Sequence, residues 1–270
     1  MGIDIGGTKT LVGCLDEHGV IMERIKFPTP DTYKQFLEEL AVVVEKLSTR
    51  DFIAAGVAAP GLIDRNAGHV VAFGNRPWKD APLKTDVESI VHCPVVVEND
   101  ANLAALSESM LVKGKYNRVL YVTVSTGIGV GVAENQQLAS ALIDAEAGSM
   151  QIDHNGKLEK WESFASGKAI RAKYGKLAAD IHEPEIWDEI AHNLAKGVTN
   201  LIDIVQPDVI ILGGSVSAYF DRFKKPLLSY LEAMAGPLTP VPPIIEASRP
   251  EEAVLYGCYD LAKIRHGSLR

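Results

Sequence analysis

The chain has 270 residues, of which 47% are apolar and 23% are charged, and 27 Lys and Arg stand against 35 Asp and Glu for a net charge of −8. This is an ordinary globular composition, and its acidic balance argues against a nucleic-acid-binding module, whose surface is usually basic. No apolar run approaches the roughly 18 residues of a membrane span, and the N-terminus shows no signal-peptide pattern. A cytoplasmic protein without membrane or nucleic-acid partners is therefore expected.

The three cysteines, Cys14, Cys93 and Cys258, lie far apart and form no C-x-x-C pair. Reduced and mostly buried thiols are the expectation for such spacing. A structural zinc site built on these residues is not indicated.

Strand-like and helix-like stretches alternate along the chain, beginning with IDI, which leads into Gly6-Gly7. Two further strands are predicted around the turn EHG, and a long amphipathic helix follows with Asp31 as its candidate cap. Strands are also predicted in FIAAGVA, PVVVE, RVLYVTV and DVIIL, and helices in ANLAALSESML, in WDEIAHNLAKGVTNLIDIV and after Pro250-Glu251-Glu252. The alternation predicts an α/β fold.

Two glycine-rich turns form a coarse internal repeat. DIGGTKT, residues 4–10, and VTVSTGIGVGV, residues 122–132, each consist of a predicted strand, a turn and a further strand. Backbone N–H groups in such turns can approach an anion closely, and hydroxyl groups such as those of Thr8 and Thr10 add donors. The pair is interpreted as two phosphate loops for one nucleotide, and a plain β-hairpin with a glycine bulge is the alternative for STGIGVG.

Two further turns follow predicted strands at their carboxyl ends, where ligands bind in open α/β sheets. One is Gly213-Gly214-Ser215, and the other is the run Glu98-Asn99-Asp100. Three polar side chains at the end of a strand suit a cleft better than a core. Asp100 is a candidate general base that accepts a proton from a substrate hydroxyl during phosphoryl transfer. A helix cap by Asp100 or Asn99 is the alternative.

Six motifs occur in order, namely DIGGTKT, AAPGLID, GNRPW, VENDANLAALSE, VSTGIGVGV and IILGGSVS. Together they resemble the ROK family of sugar kinases and sugar-responsive repressors over nearly the whole chain. The resemblance implies a two-domain actin-like ATPase (ribonuclease H-like) fold with an interdomain cleft. Its first domain would comprise residues 1–102 and the C-terminal helix 253–270, and its second residues 103–252. It also implies an ATP- and Mg²⁺-dependent hexose kinase, most often acting on the C6 hydroxyl.

The resemblance also assigns the site residues by their places in the motifs. Asp100 would be the general base, and Asp4 would orient the Mg²⁺–phosphate group. The nucleotide and its phosphates would be bound by Gly6, Gly7, Thr8, Lys9, Thr126, Gly127, Gly129, Gly213 and Gly214. The sugar would be bound by Asn75, Asn99, Asp100, Glu146, Ser149 and Glu162.

The chain departs from the family pattern in three places. Ser149 stands in EAGSM where family kinases commonly carry a histidine, so the preferred sugar stays open. The following stretch, QIDHNGKLEKWE, lacks the zinc-binding cysteine cluster of many members, so no zinc is expected and His154 is expected to be a solvated loop side chain. Only three residues precede Asp4, which leaves no room for a helix-turn-helix and disfavours the repressor branch.

Alternatives to the ATP-dependent hexose kinase stay open at this point. The chain could be a catalytically silent sugar sensor, a kinase that uses polyphosphate as donor, or a kinase whose acceptor is an N-acetyl amino sugar such as N-acetylmannosamine. A homodimer is one expectation for the assembly, because dimers are common among similar proteins.

Overall fold

The computed structural model describes residues 1–74, 76–249 and 252–267. The chain divides into two compact units, of which unit 1 comprises Met1–Ser107 and Glu252–Arg270 and unit 2 comprises Glu108–Glu251. Asn75, which is predicted to bind the sugar, lies outside the described residues. Within the described ranges no helix is both long and apolar enough to cross a membrane.

The strands and helices follow one another in alternation. The strands are β1 (Gly2–Ile5), β2 (Lys9–Leu15), β3 (Ile21–Pro28), β4 (Ala55–Ala58), β5 (Gly61–Asp64), β6 (His69–Phe73), β7 (Lys79–Ala81), β8 (Val95–Glu98), β9 (Arg118–Val124), β10 (Ile128–Glu134), β11 (Gln137–Leu138), β12 (Gln151–His154), β13 (Lys157–Lys160), β14 (Val209–Gly213) and β15 (Ile244–Glu246). The helices are α1 (Tyr33–Lys46), α2 (Leu83–Val91), α3 (Asp100–Leu111), α4 (Trp161–Ala165), α5 (Gly167–Tyr174), α6 (Pro184–Val205), α7 (Phe220–Met234) and α8 (Ala253–His266).

The main sheet of unit 1 has the strand order β3-β2-β1-β4-β8. β1 pairs antiparallel with β2 and parallel with β4, and β4 pairs parallel with β8. The last helix, α8, packs on this sheet very closely, since a Cβ atom on Gly56 would lie 2.3 Å from the carbonyl oxygen of Cys258. Cys14, Cys93 and Cys258 are free and buried, which confirms the prediction made for them.

Helix α1 has the predicted amphipathic pattern, and its buried face carries Phe36 and Leu40. The predicted cap is wrong by one residue. The side-chain oxygen of Thr32 accepts the hydrogen bond from the backbone N–H of Gln35, whereas the carboxylate of Asp31 pairs with Arg76 at 3.2 Å. Asp31 thus precedes the N-cap and makes a surface ion pair instead of the capping hydrogen bond.

A second, three-stranded antiparallel sheet in unit 1 has the order β5-β6-β7. Trp78, which precedes β7, is buried, and its ring centroid lies 5.1 Å from that of Phe36. Its indole N–H donates to the carbonyl oxygen of Asp31 at 2.8 Å. These contacts fix Trp78 to α1 and to Asp31, which precedes that helix.

The main sheet of unit 2 has the order β11-β10-β9-β14-β15. β9 and β10 form an antiparallel hairpin, while β14 pairs parallel with both β9 and β15. Helix α6 begins with a proline in its first turn, where the missing N–H is not needed. Its buried residues include Trp187, Ile190, Leu194, Val198, Leu201 and Val205, as the helical periodicity predicts.

The two main sheets share one topology. In each, a hairpin supplies the first two strands, the first strand of that hairpin pairs in parallel with a later strand, and a further parallel strand closes the order. The internal repeat predicted from the two glycine-rich turns is therefore confirmed at the level of strand pairing.

Candidate active site

The glycine turn of unit 1 joins β1 to β2. Its closure is a hydrogen bond from the N–H of Gly6 to the carbonyl oxygen of Lys9 at 3.0 Å, and a Cβ atom on Gly6 would lie 2.6 Å from that same oxygen. The hydroxyl of Thr29 donates to the carbonyl oxygen of Gly6 at 2.8 Å. Thr8 and Lys9 are exposed beside the turn.

Thr10 does not contribute a free hydroxyl to this turn, contrary to the prediction. It is fully buried, and its Oγ1 lies 3.0 Å from Oγ1 of Thr29. Because Thr29 donates to the turn, Thr10 supports it from behind. The available side chains at the turn are therefore those of Thr8 and Lys9.

Asp4 and Asp100 are two partly buried acids of unit 1. Burial raises the pKa of Asp4 from 3.8 to about 7, and the nearby Asp100 carboxylate adds to the rise while Lys26 opposes it. Burial also raises the pKa of Asp100, although the backbone N–H of Ala101 donates to its carboxylate at 2.8 Å and opposes the rise. Of two such carboxylates, one can accept a proton and the other can bind a hard cation through its oxygen atoms.

Glu98 does not face a cleft as predicted. It is only 3% exposed, and its carboxylate accepts two hydrogen bonds from the Arg65 guanidinium, from Nε and from Nη2, both at 2.7 Å. A buried carboxylate requires such a partner. The interpretation of Glu98 as a cleft residue is wrong because Arg65, which is distant in sequence, compensates its charge.

Asn99 caps helix α3, which confirms the capping alternative for this residue. Its Oδ1 accepts hydrogen bonds from the N–H groups of Ala101 at 2.9 Å and Asn102 at 3.4 Å. The Nδ2 group takes no part in the cap. Asp100 follows as the first residue of the helix.

The second glycine turn joins β9 to β10 in unit 2. STGIGVG is thus a β-hairpin, and the N–H of Ser125 donates to the carbonyl oxygen of Gly127 at 2.9 Å. The start of α5 holds the other side of the turn, since the N–H of Gly167 donates to the carbonyl oxygen of Ser125 at 2.7 Å. Thr126 is exposed, whereas Gly129 lies inside β10 opposite Thr123.

Glu162, on the short helix α4, lies against this turn. A Cβ atom on Gly127 would lie 2.9 Å from Oε2 of Glu162, so the structure brings the two predicted site residues together. Glu146 precedes a 3₁₀ turn, Ala147–Ser149, in which the N–H of Ser149 donates to the carbonyl oxygen of Glu146 at 3.0 Å. Both residues are exposed.

Gly213 is the last residue of β14 and Gly214 follows it, and both pack beside the same hairpin. Gly214 has a positive φ of +87°, and a Cβ atom there would lie 2.5 Å from the carbonyl oxygen of Val124. Val216 donates its N–H to that carbonyl oxygen at 3.0 Å. The turn after β14 and the turn after β9 are thus joined within unit 2.

His154 is the last residue of β12 and is not a solvated loop side chain. It is half-buried, and its ring stacks on Phe164 with the centroids 4.2 Å apart. In the part of the chain that the structure describes, no three His, Cys, Asp or Glu side chains are grouped closely enough to hold a metal ion.

The sequence model of the ROK family matches residues 1–265. The chain belongs to the ROK family. This ROK chain is 31% identical to a glucokinase of Streptomyces coelicolor over an alignment of 307 residues that covers 97% of each chain.

Two solved structures resemble the ROK chain closely. One is a ROK family glucokinase from Streptomyces griseus in complex with glucose and AMPPNP, with a TM-score of 0.82, 28% identity and coverage of 97% of this chain and 98% of that one. The other is a putative N-acetylmannosamine kinase from Listeria monocytogenes, with a TM-score of 0.82, 25% identity and 98% coverage of both chains. These neighbours confirm the actin-like ATPase fold.

Sequence reasoning about this ROK chain missed Thr29 and Arg65. Both act through hydrogen bonds to residues far away in the chain, Thr29 to Gly6 and Arg65 to Glu98. The sequence carries no local signal for either contact, because each depends on how the strands are arranged.

Proposed function

We propose that this ROK protein transfers the terminal phosphoryl group of ATP to the C6 hydroxyl of a hexose, with Asp100 as general base. The observation that carries the proposal is the position of Asp100. This partly buried carboxylate has a raised pKa and lies at the start of α3, near Asp4. The similarity to a ROK glucokinase in complex with glucose and AMPPNP supports the reaction class.

In the proposed reaction the Asp100 carboxylate accepts the proton of the sugar hydroxyl. The hydroxyl oxygen forms a bond to the terminal phosphorus of ATP as the bond between that phosphorus and the ADP oxygen breaks. A raised pKa suits this role, because a general base acts best when its pKa lies near the working pH. The products are the sugar phosphate and ADP, and the proton passes from Asp100 to solvent.

The residues of unit 1 fit Mg²⁺ and the phosphates of ATP. Burial raises the pKa of Asp4, the charge of the neighbouring Asp100 carboxylate adds to the rise, and a bound cation would oppose both effects. Bound Mg²⁺ would supply neutralisation of the phosphate charge. Gly6, Gly7, Thr8 and Lys9 would donate hydrogen bonds to the phosphates.

Unit 2 would contribute uncharged turns and polar sugar ligands. The ATP phosphates would be bound by Thr126, Gly127 and Gly129, and the adenosine would lie near Gly213 and Gly214. By their places in the ROK motifs, Asn99, Glu146, Ser149 and Glu162 would bind the sugar hydroxyls. Side chains that accept and donate hydrogen bonds are what polyhydroxyl recognition requires.

An N-acetyl amino sugar is the second candidate for the acceptor. The similarity to a putative N-acetylmannosamine kinase favours it, since that structure has the same TM-score as the glucokinase. Ser149 has a shorter side chain than the histidine it replaces in the family pattern, which would suit an acceptor with a larger substituent.

The test is a panel assay with Mg-ATP and with polyphosphate as donors against glucose, mannose, fructose, N-acetylglucosamine and N-acetylmannosamine. Sugar phosphate is detected by mass spectrometry, and the variant Asp100→Asn is assayed in parallel. This variant should lower kcat by about 10²–10⁴-fold, the scale of a general base. Asp221→Asn, an exposed acid at the start of α7, is the matched control and should keep wild-type turnover.

Each outcome of the assay decides one part of the proposal. Phosphorylation with ATP that is lost in Asp100→Asn supports the proposal, and the best acceptor names the substrate. If sugar phosphate forms only with polyphosphate, then polyphosphate rather than ATP is the donor. Sugar binding by calorimetry without product from either donor makes the chain a sensor and overturns the proposal. Near-normal turnover of Asp100→Asn removes the role given to Asp100.

A further inference from the structure

Arg65 and Glu98 form a buried ion pair beneath the turn that carries Asn99 and Asp100. Arg65 follows β5, and Glu98 is the last residue of β8. Nε of Arg65 donates to Oε2 of Glu98 and Nη2 donates to Oε1, both at 2.7 Å. Two parallel hydrogen bonds between planar groups fix both the distance and the orientation of the carboxylate.

The same carboxylate also holds the turn. Oε1 of Glu98 accepts a hydrogen bond from the backbone N–H of Asn99 at 2.8 Å and another from Nδ2 of Asn102 at 3.0 Å. Asn102 is itself buried in the first turn of α3. The residues on both sides of Asp100 are therefore tied to one oxygen atom whose position Arg65 sets.

Stability alone is a weak reason for this arrangement. Desolvation of a buried ion pair largely cancels its attraction, and replacement by apolar residues of similar volume is often neutral for folding. Glu98 is 3% exposed and the Arg65 side chain 24% exposed, so the desolvation applies here. What the pair supplies that apolar side chains could not is a hydrogen-bond acceptor at a fixed place under the Asn99 peptide.

We propose that Arg65 and Glu98 are positioning residues, which orient the Asp100 carboxylate by holding the β8–α3 turn. The inference rests on the proposed function, in which Asp100 accepts the proton of the substrate. Neither residue is assigned a contact with substrate. Their effect should therefore fall on turnover, and on the sugar through Asn99, but not on the binding of ATP.

The first test uses conservative variants of each partner. Arg65→Lys keeps the positive charge but loses the two parallel hydrogen bonds of the guanidinium. Glu98→Gln keeps the shape of the side chain but loses its negative charge. Each should lower kcat by about 10–100-fold, because a misplacement near 1 Å at a reacting group has effects of that size. The KM for ATP should stay within about 3-fold of wild type, since none of the groups assigned to the nucleotide lies in the β8–α3 turn, whereas the KM for sugar should rise because Asn99 moves with that turn.

The second test separates position from stability. Arg65→Met alone leaves the Glu98 charge unpaired and should destabilise the fold. The double variant Arg65→Met/Glu98→Leu removes both charges and should recover thermal stability, yet it leaves the Asn99 N–H without its acceptor. We expect kcat of the double variant to stay at least 10-fold below wild type. Recovery of kcat together with stability would overturn the proposal.

A matched control is Arg118→Lys, since Arg118 also donates from Nε to one carboxylate, that of Glu134, but in unit 2. Its kcat should equal that of wild type. Hydrogen exchange of the amides of residues 99–102 gives a readout independent of turnover, and exchange should be faster in Glu98→Gln. Unchanged exchange and unchanged kcat in both conservative variants would refute the positioning role.

The two proposals fail in different ways. A wild-type protein that forms no sugar phosphate with any donor contradicts the proposed function, and the exchange measurement then still decides whether the pair orders the turn. An active wild type with fully active Arg65→Lys and Glu98→Gln contradicts only the positioning role.

Discussion

The two main sheets have the same strand pairing but differ in the residues at equivalent places. In unit 1, Asp4 of β1 lies opposite Ala58 of β4, whereas in unit 2 Thr123 of β9 lies opposite Gly213 of β14. The outermost parallel strand of unit 1 is followed by Asn99-Asp100, and that of unit 2 by Ala247. Unit 1 thus carries the acids Asp4 and Asp100 where unit 2 carries the uncharged residues Thr123 and Ala247.

The supports of the two glycine turns differ as well. The turn of unit 1 is held by a threonine hydroxyl, that of Thr29, while the turn of unit 2 is held by a backbone N–H at the start of α5. A shared topology therefore sets where a turn lies, and the surrounding side chains determine what it can do. The acids Asp4 and Asp100 both belong to one copy of the repeat, that of unit 1.

The largest effect should come from the variant Gly6→Ala. The new Cβ would meet the carbonyl oxygen of Lys9 at 2.6 Å, and a backbone atom cannot move aside without opening the turn. We expect kcat/KM for ATP to fall about 100-fold. Gly236→Ala, whose Cβ would meet only Oγ1 of Thr239 at 3.5 Å, is the control. An equal response of the two variants in steady-state kinetics would show that the unit 1 turn does not bind phosphate.

Gly127→Ala should have a smaller effect in unit 2. Here the new Cβ would meet Oε2 of Glu162 at 2.9 Å, and the end of a side chain can move. Displacement of that carboxylate from a sugar hydroxyl should raise the KM for sugar about 10-fold, the scale of one charged hydrogen bond. The test is a double-mutant cycle with Glu162→Gln. If the effects of the two substitutions on the KM for sugar are additive in free energy, Gly127→Ala does not act by displacing Glu162.

Asp4→Asn should change stability in a pH-dependent way. The folded-state pKa of about 7 lies above the ordinary 3.8, so the folded protein retains a proton that the unfolded chain has lost. The contribution of this group is most favourable below pH 3.8 and is lost as the pH rises towards 7. Asparagine carries no charge, so the variant should be more stable than wild type at pH 8 by about 1–3 kcal/mol.

The measurement for Asp4→Asn is thermal unfolding without Mg²⁺ or nucleotide, at pH 8 and near pH 4.5. The difference in Tm should be a few degrees at the higher pH and should shrink at the lower one. A difference that is the same at both values would show that Asp4 is not desolvated in the folded protein. Turnover of the same variant is expected to fall, which would separate stability from activity at one residue.

Local signals explain which parts of the fold could be predicted. PVVVE and DVIIL are short apolar runs next to turn residues, and they form β8 and β14. Helix α7 was not predicted although its buried residues Phe220, Phe223, Leu227 and Leu231 follow a helical period, because Pro226 lies inside it and proline usually ends a helix. The hairpin of β12 and β13 was also not predicted, although Asn155-Gly156 is a strong hairpin signal.

The candidate site, like the fold, could be predicted from the sequence only in part. The glycines and Asp100 could be proposed from the sequence because each belongs to a compact motif. The contacts that hold them could not, since Arg65 and Glu98 are separated by 33 residues and Thr29 and Gly6 by 23. Contacts of this kind exist only once the strands are paired, and no periodicity along the chain records them.

The docking of α8 has a consequence for biosynthesis. Unit 2 is one continuous segment of the chain, whereas unit 1 needs a helix that is translated last, and Gly56 leaves space for the backbone of that helix. Domains usually fold in the order in which the ribosome releases them. Unit 1 cannot complete its core until the end of the chain is released, because residues 253–266 cover one face of its sheet.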